Sequence, residues 1–357
     1  MTRRALALAA EGSGLVSPNP LVGCVILSAD GEVVGEGVYT YDGVTHAELI
    51  ALEQAAERAN GGTAYVSLEP HDHQGKTPPC TEALIKAGIK RVVSPIEDPN
   101  PLVSGKGFQR LRSAGIEVVT DLLSDEAAML NEKFVCWHKK RRPFIHLKLA
   151  MSLDGRISLK KSVSTALSGK NALKRVHELR HEHDAILVGG NTAFVDNPSL
   201  TDRSGKLRRR PLARIVLDNR LRIPVDSALV RTAGETPTIL FSNATDEEKV
   251  EKLFLKGVQV PRIDARDLKA VLAELYVREI QSVLVEGGTE VAGAFVDARL
   301  VDKITLIVAP IIVGGHDAPN AIGGKGAVSL ETAIKMAELD ITQLGPDIEI
   351  TGYPTEA

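Results

Sequence analysis

Short apolar runs alternate with longer stretches of helical period along most of this chain. Thr2 to Gly12 reads as a helix, and the rigid polar turn Ser17-Pro18-Asn19-Pro20 leads into an apolar strand, Leu21 to Leu27. Val33 to Gly37 pairs with that strand as a hairpin through Asp30-Gly31. A helix over Ala47 to Ala59, a strand over Tyr65 to Leu68 and a second helix starting at Cys80 follow. The pattern continues through Arg91 to Ser94, Gly107 to Ala114 and Ile116 to Thr120, then one long helix from Asp125 toward Lys139. Alternation of this kind predicts an α/β domain, a sheet covered by helices on both faces.

Lys139-Lys140-Arg141-Arg142-Pro143 interrupts the pattern with four charges and a proline. A charge run is usually a solvated face, and here it marks a boundary between domains 1–142 and 143–357. The second domain opens with the strand Phe144 to Leu149 and a helix over Lys170 to His183. Further strands are expected at Ala185 to Val188, Ala213 to Leu217, Thr238 to Phe241, Ser282 to Val285 and Ile304 to Val308. Helices are expected at Asp246 to Lys256, Asp267 to Arg278 and Glu290 to Asp297.

Composition narrows the function. A chain of 357 residues has room for two ordinary domains, and 43% apolar with 25% charged residues is the balance of a globular protein. A net charge of −3 and only 4% aromatics argue against a nucleic-acid partner. The longest apolar runs, such as Ile304 to Val313, are too short to span a bilayer, and the N-terminus shows no cleavage-like site. A cytoplasmic protein without a membrane partner is expected. Of the three cysteines, Cys24 lies within an apolar strand and reads as core, and Cys136 has no partner motif.

The densest chemistry lies in His46-Ala47-Glu48 and in the stretch Leu68-Glu69-Pro70-His71-Asp72-His73-Gln74-Gly75-Lys76-Thr77-Pro78-Pro79-Cys80. A zinc ion that acidifies water needs nitrogen and sulfur ligands, an open position and a carboxylate to move protons. His46 and Glu48 leave the first turn of one helix in different directions, so one can hold metal while the other reaches its water. Cys80 follows Pro78-Pro79 at a helix start, where free N–H groups and the helix dipole are expected to lower its thiol pKa. The pattern H-x-E followed by P-C-x-x-C marks zinc nucleobase deaminases. Here His71 stands where the first cysteine is expected, and Cys80 lies beyond a two-residue gap.

This longer loop resembles the deaminase half of the bifunctional riboflavin-biosynthesis deaminase/reductases, whose pattern is H-A-E, then L-E-P-C-x-H-x-G-x-T-P-P-C. Asn19, in a P-N-P-x-V-G-C turn, shares the resemblance and is expected to touch the pyrimidine. The implied zinc ligands are His46, His71 and Cys80, with Glu48 as the catalytic proton carrier. His73 or Asp72 could instead fill the second ligand position. Lys76 is placed to meet a substrate phosphate.

In the second domain, K-L-x-x-S-L-D-G-R from Lys148, L-R at Arg180, D-A-I-L-V-G from Asp184, D-N-P-x-L-T from Asp196 and V-E-G-G around Glu286 look like the reductase half of the same family. The Rossmann fingerprint is absent, but the Val283 to Val285 strand runs through Glu286-Gly287-Gly288 into a helix, a device that admits phosphate. The resemblance implies a cytidine-deaminase-like three-layer domain followed by a dihydrofolate-reductase-like α/β domain. NADPH is expected near Ala150, Ala166, Thr192, Asp196 and the run Gly288, Thr289, Glu290, Val291, Ala292, Gly293, Ala294. At Ala166 the family often carries tryptophan. Substrate is expected near Ser164, Arg180, Leu200, Arg203 and Glu286, with Lys148 at the reacting carbon. Arg180 and Arg203 suit a phosphate ester, which guanidinium binds in a bidentate way. Lys206, Arg208, Arg209 and Arg210 read as a solvated loop.

His177-Glu178-Leu179-Arg180-His181 also matches the zincin motif H-E-x-x-H, but it falls inside the reductase pattern and lacks a third histidine. The resemblance as a whole implies Zn²⁺ and NADPH as cofactors and a homo-oligomer working on small phosphorylated pyrimidines. It implies zinc-hydroxide deamination of 2,5-diamino-6-ribosylamino-4(3H)-pyrimidinone 5′-phosphate. NADPH reduction of the ribosyl group would then give 5-amino-6-ribitylaminouracil 5′-phosphate. A reductase whose zinc domain has decayed to a structural role, or a zinc module serving only assembly, stays open. Glu48, with no structural need to be acidic, argues against both.

Overall fold

The computed structural model describes residues 1–42, 44–74 and 78–355. The chain forms two compact units, Met1–Arg141 and Arg142–Ala357.

The first unit is built from α1 (Thr2–Ala10), β1 (Gly23–Leu27), β2 (Val33–Val38), α2 (Ala47–Ala55), β3 (Thr63–Val66), α3 (Cys80–Lys86), β4 (Arg91–Val93), α4 (Lys106–Ser113), β5 (Glu117–Val119), α5 (Ser124–Leu130) and α6 (Glu132–Lys140). Its five-stranded sheet runs β2-β1-β3-β4-β5, with β1 antiparallel to both neighbours and β3, β4 and β5 parallel. The single long helix expected beyond Asp125 is broken at Asn131. There the side chain accepts the Leu21 N–H at 2.8 Å and donates to the Leu21 carbonyl at 2.9 Å. This long-range pairing competes with continuing the helix.

The packing of α2 on β2 decides where the site lies. Ala47, Ala51 and Ala55 form a small-residue face, and β2 answers it with glycines. A Cβ on Gly35 would come 2.0 Å from the Ala51 carbonyl oxygen, and one on Gly37 would come 2.1 Å from that of Ala47. Backbone therefore rests almost on backbone, and the start of α2, with His46 and Glu48, is seated without slack.

The second unit comprises β6 (Phe144–Ser152), α7 (Lys170–His181), β7 (Ala185–Gly189), α8 (Gly190–Asp196), β8 (Ala213–Leu217), α9 (Ala228–Arg231), β9 (Thr238–Phe241), α10 (Glu247–Leu255), β10 (Val258–Gln259), α11 (Leu268–Val277), β11 (Ser282–Val285), α12 (Thr289–Asp297), β12 (Lys303–Ala309), β13 (Met336–Leu344) and β14 (Asp347–Pro354). Its nine-stranded sheet has the order β10-β9-β8-β7-β11-β6-β12-β14-β13, and only the β12-β14 and β13-β14 pairs are antiparallel. Successive residues of β7 feed different cores: Leu187 packs with Ile145, Val283 and Phe295, and Ile186 and Val188 pack with Val216 and Leu240. A parallel sheet buried on both faces needs such continuous apolar strands. Glu286 follows the carboxyl end of β11, the side where open α/β sheets bind their ligands, and Lys148, in the middle of β6, comes one residue after Leu147, which pairs with Val285 at that end. No helix among the described residues is long and apolar enough to cross a membrane.

Candidate functional site

In the first unit, His46 caps the N-terminus of α2, Glu48 lies in its first turn, and Cys80 is the first residue of α3. The loop after β3 returns His71 to them. The donor atoms of His46, His71 and Cys80 lie within 4.8 Å of one another, and the two imidazole rings stand 4.5 Å apart. His73 lies beside this group, its ring 5.0 Å from that of His71. Asp72 faces elsewhere, accepting the Thr81 hydroxyl at 2.5 Å. Asn19 reaches the group through Tyr39. Its amide donates to the Tyr39 hydroxyl at 2.5 Å, and the Tyr39 ring stands edge-on to His46 at 5.4 Å. Lys76 lies outside the described residues.

The electrostatics of this cluster suit a cation. Burial, then the neighbouring His46 and His73, bring the His71 pKa down to about 4, so its imidazole is neutral and free to donate a lone pair. The Cys80 thiol departs from expectation: burial, reinforced by Glu48, pushes its pKa well up. Seven residues of α3 cannot offset the loss of water around a thiolate. A divalent ion held by these donors would supply the missing positive charge. Glu48 is 3% exposed, and its Oε2 has no hydrogen-bond partner, an unusual state for a buried carboxylate oxygen. The donor set and this orphaned oxygen together fit zinc with a water beside it.

Glu69 stands within the quoted motif, but motif reading gave it no role. Its carboxylate accepts the N–H groups of Asp98 (3.0 Å), Gly105 (2.9 Å), Gly107 (2.9 Å) and Phe108 (3.3 Å). One buried side chain thereby gathers the 98–108 loop against the strand that leads to His71. Its place directly after a strand is visible in the sequence; its burial is not. Asp98 on that loop is pushed up to about 7, chiefly by burial, with Glu69 adding to it against the Asn100 N–H.

In the second unit, Lys148 on β6 and Glu286 after β11 form a nearly buried array with Arg180 on α7. Arg180 donates to both Glu286 oxygens, at 2.7 and 3.0 Å, and Lys148 Nζ stands 3.8 Å from Glu286 Oε2. The fork of Arg180, expected to face a phosphate, is thus closed on a carboxylate. Its remaining nitrogen donates to the Thr201 carbonyl at 3.1 Å. Arg203 is exposed, its Nε 3.1 Å from the Thr201 hydroxyl, and Leu200 is buried beside them. Burial lowers the Lys148 pKa; for Glu286, Lys148 and Arg180 outweigh burial and hold the carboxyl below its usual range.

The second unit also holds a cavity of about 1060 Å³, lined by Ser164, Thr192, Asp196, Gly288, Thr289, Glu290, Val291 and Ala294 among others; Lys148, Arg180 and Glu286 do not border it. Burial raises the Asp196 pKa, opposed by a hydrogen bond from Ser164. Ala292 and Gly293 face inward, Ala150 packs beside Ala172 and Ile307, and Ala166 is exposed; none of these four borders the cavity.

The H-E-x-x-H segment gathers no metal ligands among the described residues. His181 Nδ1 bonds Asp202 at 3.0 Å, and Arg208 joins the same carboxylate at 3.2 Å. Arg208, expected on a solvated loop, also donates to the carbonyls of Arg180, His181 and His183 and so caps the C-terminal end of α7. His177 stands within the field of Arg180, Arg203 and Glu286, its Nδ1 buried and without a hydrogen-bond partner. Changing His181 to Ala should leave the zinc content unchanged and cost roughly 1 kcal/mol through the lost hydrogen bond to Asp202, which keeps Arg208 and the Ser204 N–H as partners. Metal analysis with thermal unfolding checks this, and lost zinc in a folded variant would revive the hydrolase reading.

The model of the RibD C-terminal domain family matches residues 143–350, and that of the cytidine and deoxycytidylate deaminase zinc-binding region matches residues 1–95. The riboflavin biosynthesis protein RibD of Aquifex aeolicus is 42% identical over 97% of this chain and 95% of its own length. The chain belongs to the riboflavin-biosynthesis deaminase/reductase family. Two solved structures of family members share the fold over nearly the whole chain. Acinetobacter baumannii RibD, form 1, has a TM-score of 0.88 at 35% identity, covering 99% of this chain and 98% of its own. The Thermotoga maritima diaminohydroxyphosphoribosylaminopyrimidine deaminase/5-amino-6-(5-phosphoribosylamino)uracil reductase has a TM-score of 0.86 at 33% identity, covering 99% and 97%. As a member of the family the chain is a bifunctional deaminase and reductase of riboflavin biosynthesis, dependent on zinc and NADPH.

Proposed function

We propose that residues 1–142 deaminate 2,5-diamino-6-ribosylamino-4(3H)-pyrimidinone 5′-phosphate and that residues 143–357 reduce the ribosyl group of the product, giving 5-amino-6-ribitylaminouracil 5′-phosphate. The observation that carries this reading is the partnerless Glu48 oxygen beside the converged His46, His71 and Cys80 donors. Zinc on those three donors would supply an acidified water as nucleophile, and NADPH in the second-unit cavity would supply hydride. Glu48 takes the proton of the attacking water at its free oxygen and returns it to the departing amine. Asn19, anchored through Tyr39, orients the pyrimidine. In the second unit Glu286 holds Lys148 charged at the reacting carbon, and Arg203 faces the phosphate.

The enzyme is read as cytoplasmic and homo-oligomeric, with small phosphorylated pyrimidines as its substrates and neither nucleic acid nor membrane as a partner. Incubating the diaminopyrimidine with the whole chain, with and without NADPH, tests the assignment. Ammonia should appear in both reactions and the ribityl product only with NADPH. Reduction of supplied deaminated substrate without any ammonia release would leave a reductase alone.

Each unit also has an apolar core of its own, so a fragment of residues 142–357 should fold and oxidise NADPH when given deaminated substrate. Arg142 belongs in it, because its guanidinium holds Asp302 at 2.6 and 2.8 Å. A folded but inactive fragment beside an active whole chain would refute the division.

A further inference from the structure

The N-terminus of α4 has no cap of its own. Gly105 stands at the cap position with φ +78° and no side chain to offer, and no acid occupies the first turn. The first turn of a helix leaves N–H groups without intrahelical partners. Gly107 and Phe108 are buried, so theirs need an acceptor from elsewhere. Glu69, 38 residues before Gly107, supplies it. Its Oε1 accepts both of these N–H groups, and its Oε2 accepts those of Asp98 and Gly105. With both oxygens filled by backbone and only 4% of the residue exposed, this carboxylate is a fastener and not a proton carrier.

What it fastens is the approach to His71. Glu69 is followed by Pro70 and then by that ligand candidate, and these three residues are held from three sides. The Glu69 N–H donates to the Ile96 carbonyl, beyond β4, at 3.2 Å. The His71 carbonyl accepts the Thr81 N–H at 3.3 Å, from the first turn of α3, which Cys80 opens. Between them the Pro70 carbonyl meets α4 with almost no gap: a Cβ added to Gly107 would lie 1.9 Å from its oxygen.

Proline has no N–H to anchor it, so the position of Pro70 depends on this contact with α4. The position of α4 depends in turn on the Glu69 carboxylate that caps it. The side chain of Glu69 therefore sets where the residue before His71 can rest. A metal ligand does its work only when its backbone and ring are held within about 0.5 Å of the required place.

We propose that Glu69 is a positioning residue of the zinc centre: by capping α4 it holds Pro70 and His71 in place and so sets how tightly the ion is bound. This role rests on the assignment of His71 as a ligand. Groups that support a metal ligand from outside the coordination sphere are worth about 10–100-fold in metal affinity. Glu69 acts one step further out, through α4 and Pro70, so its effect belongs at the lower end.

The test uses the whole chain and needs no substrate. Zinc affinity against a chromogenic chelator, the visible spectrum of the cobalt-substituted protein and thermal unfolding are measured for each variant. Glu69→Gln keeps one accepting oxygen but turns an amide toward two N–H donors, and it should bind zinc about tenfold more weakly. Glu69→Ala should bind it more weakly still. Gly107→Ala reaches the same carbonyl from the other side with the carboxylate intact, and it should weaken zinc and shift the cobalt bands in the same way. Val92→Ala, which removes core volume from β4, should lower Tm and move neither metal readout. If Glu69→Ala does not fold, the Gln and Gly107 variants decide the matter. Zinc affinity and cobalt bands of wild-type character in a folded Glu69→Gln would overturn the proposal and leave Glu69 a helix cap alone. An equal loss of zinc in Val92→Ala would overturn it as well, by tracing the loss to instability. His71→Ala keeps the two failures apart. Full zinc there removes the ligand assignment, whereas zinc lost there and kept in Glu69→Gln removes only the role of Glu69.

Discussion

Glu48→Gln is expected to stop ammonia release while leaving the zinc content at its wild-type level. Positioned acid/base groups contribute roughly 10²–10⁴-fold to a rate, and here one carboxylate serves both proton transfers, so the loss should sit at the upper end of that range. Glutamine keeps the shape of the side chain but cannot accept the proton. The fold should suffer little, because Glu48 Oε2 has no partner to lose and glutamine keeps an acceptor oxygen for the Cys80 thiol. Removing a buried carboxylate from the first turn of α2 should raise Tm slightly. His71→Ala makes the contrast, since it should lose zinc and deamination together. Metal analysis, ammonia release and thermal unfolding on the two variants separate a proton carrier from a ligand. Full zinc and unaltered deamination in His71→Ala would sink the ligand assignment, and residual fast deamination in Glu48→Gln would sink the proton carrier.

The deaminase cluster was legible because its two halves lie close in the chain and each is tied to an element boundary. His46 and Glu48 open one helix and Cys80 opens the next, so a helix start and a strand end suffice to bring them together. What Glu69 does was not legible, because its four partners are backbone N–H groups some thirty to forty residues away, and backbone donors leave no mark in the residue pattern. The Cys80 thiol was misjudged for a related reason: a helix start is visible in sequence, but the depth at which it is buried is not.

Strands followed the same logic. Those buried on both faces, such as Ala185–Gly189 and Ser282–Val285, were read from their apolar runs, whereas β13, largely exposed, carries no such signature and was missed together with its partner β14. In the reductase array, the residues were found by resemblance, but their mutual engagement was not. An arginine that suits a phosphate suits a carboxylate equally well, and only the fold shows Arg180 closed on Glu286.

That engagement makes Glu286→Gln the second decisive variant. Glu286 is the counter-charge for both Lys148 and Arg180, whose side chains are only 10% and 14% exposed. Breaking a buried ion pair from one side typically costs about 3–5 kcal/mol, and a glutamine that keeps one acceptor oxygen should cost less than alanine. Reduction should fall by roughly 10²-fold or more, because Lys148 and Arg180 lose the group that fixes them. The pH profile carries the sharper signature. Burial already lowers the Lys148 pKa, and Glu286 acts against that by favouring the ammonium. Without the carboxylate the pKa drops further, so the charged form is lost at a lower pH and the alkaline limb of kcat/KM for reduction moves down. Arg203→Ala should instead raise KM for the phosphorylated substrate and leave that limb in place. Ammonia release should be intact in both variants, since their proposed contacts are to the second substrate. Equal loss of both activities would point to unfolding or to one shared site. An unmoved alkaline limb in a folded Glu286→Gln would show that Lys148 does not act there as the charged group.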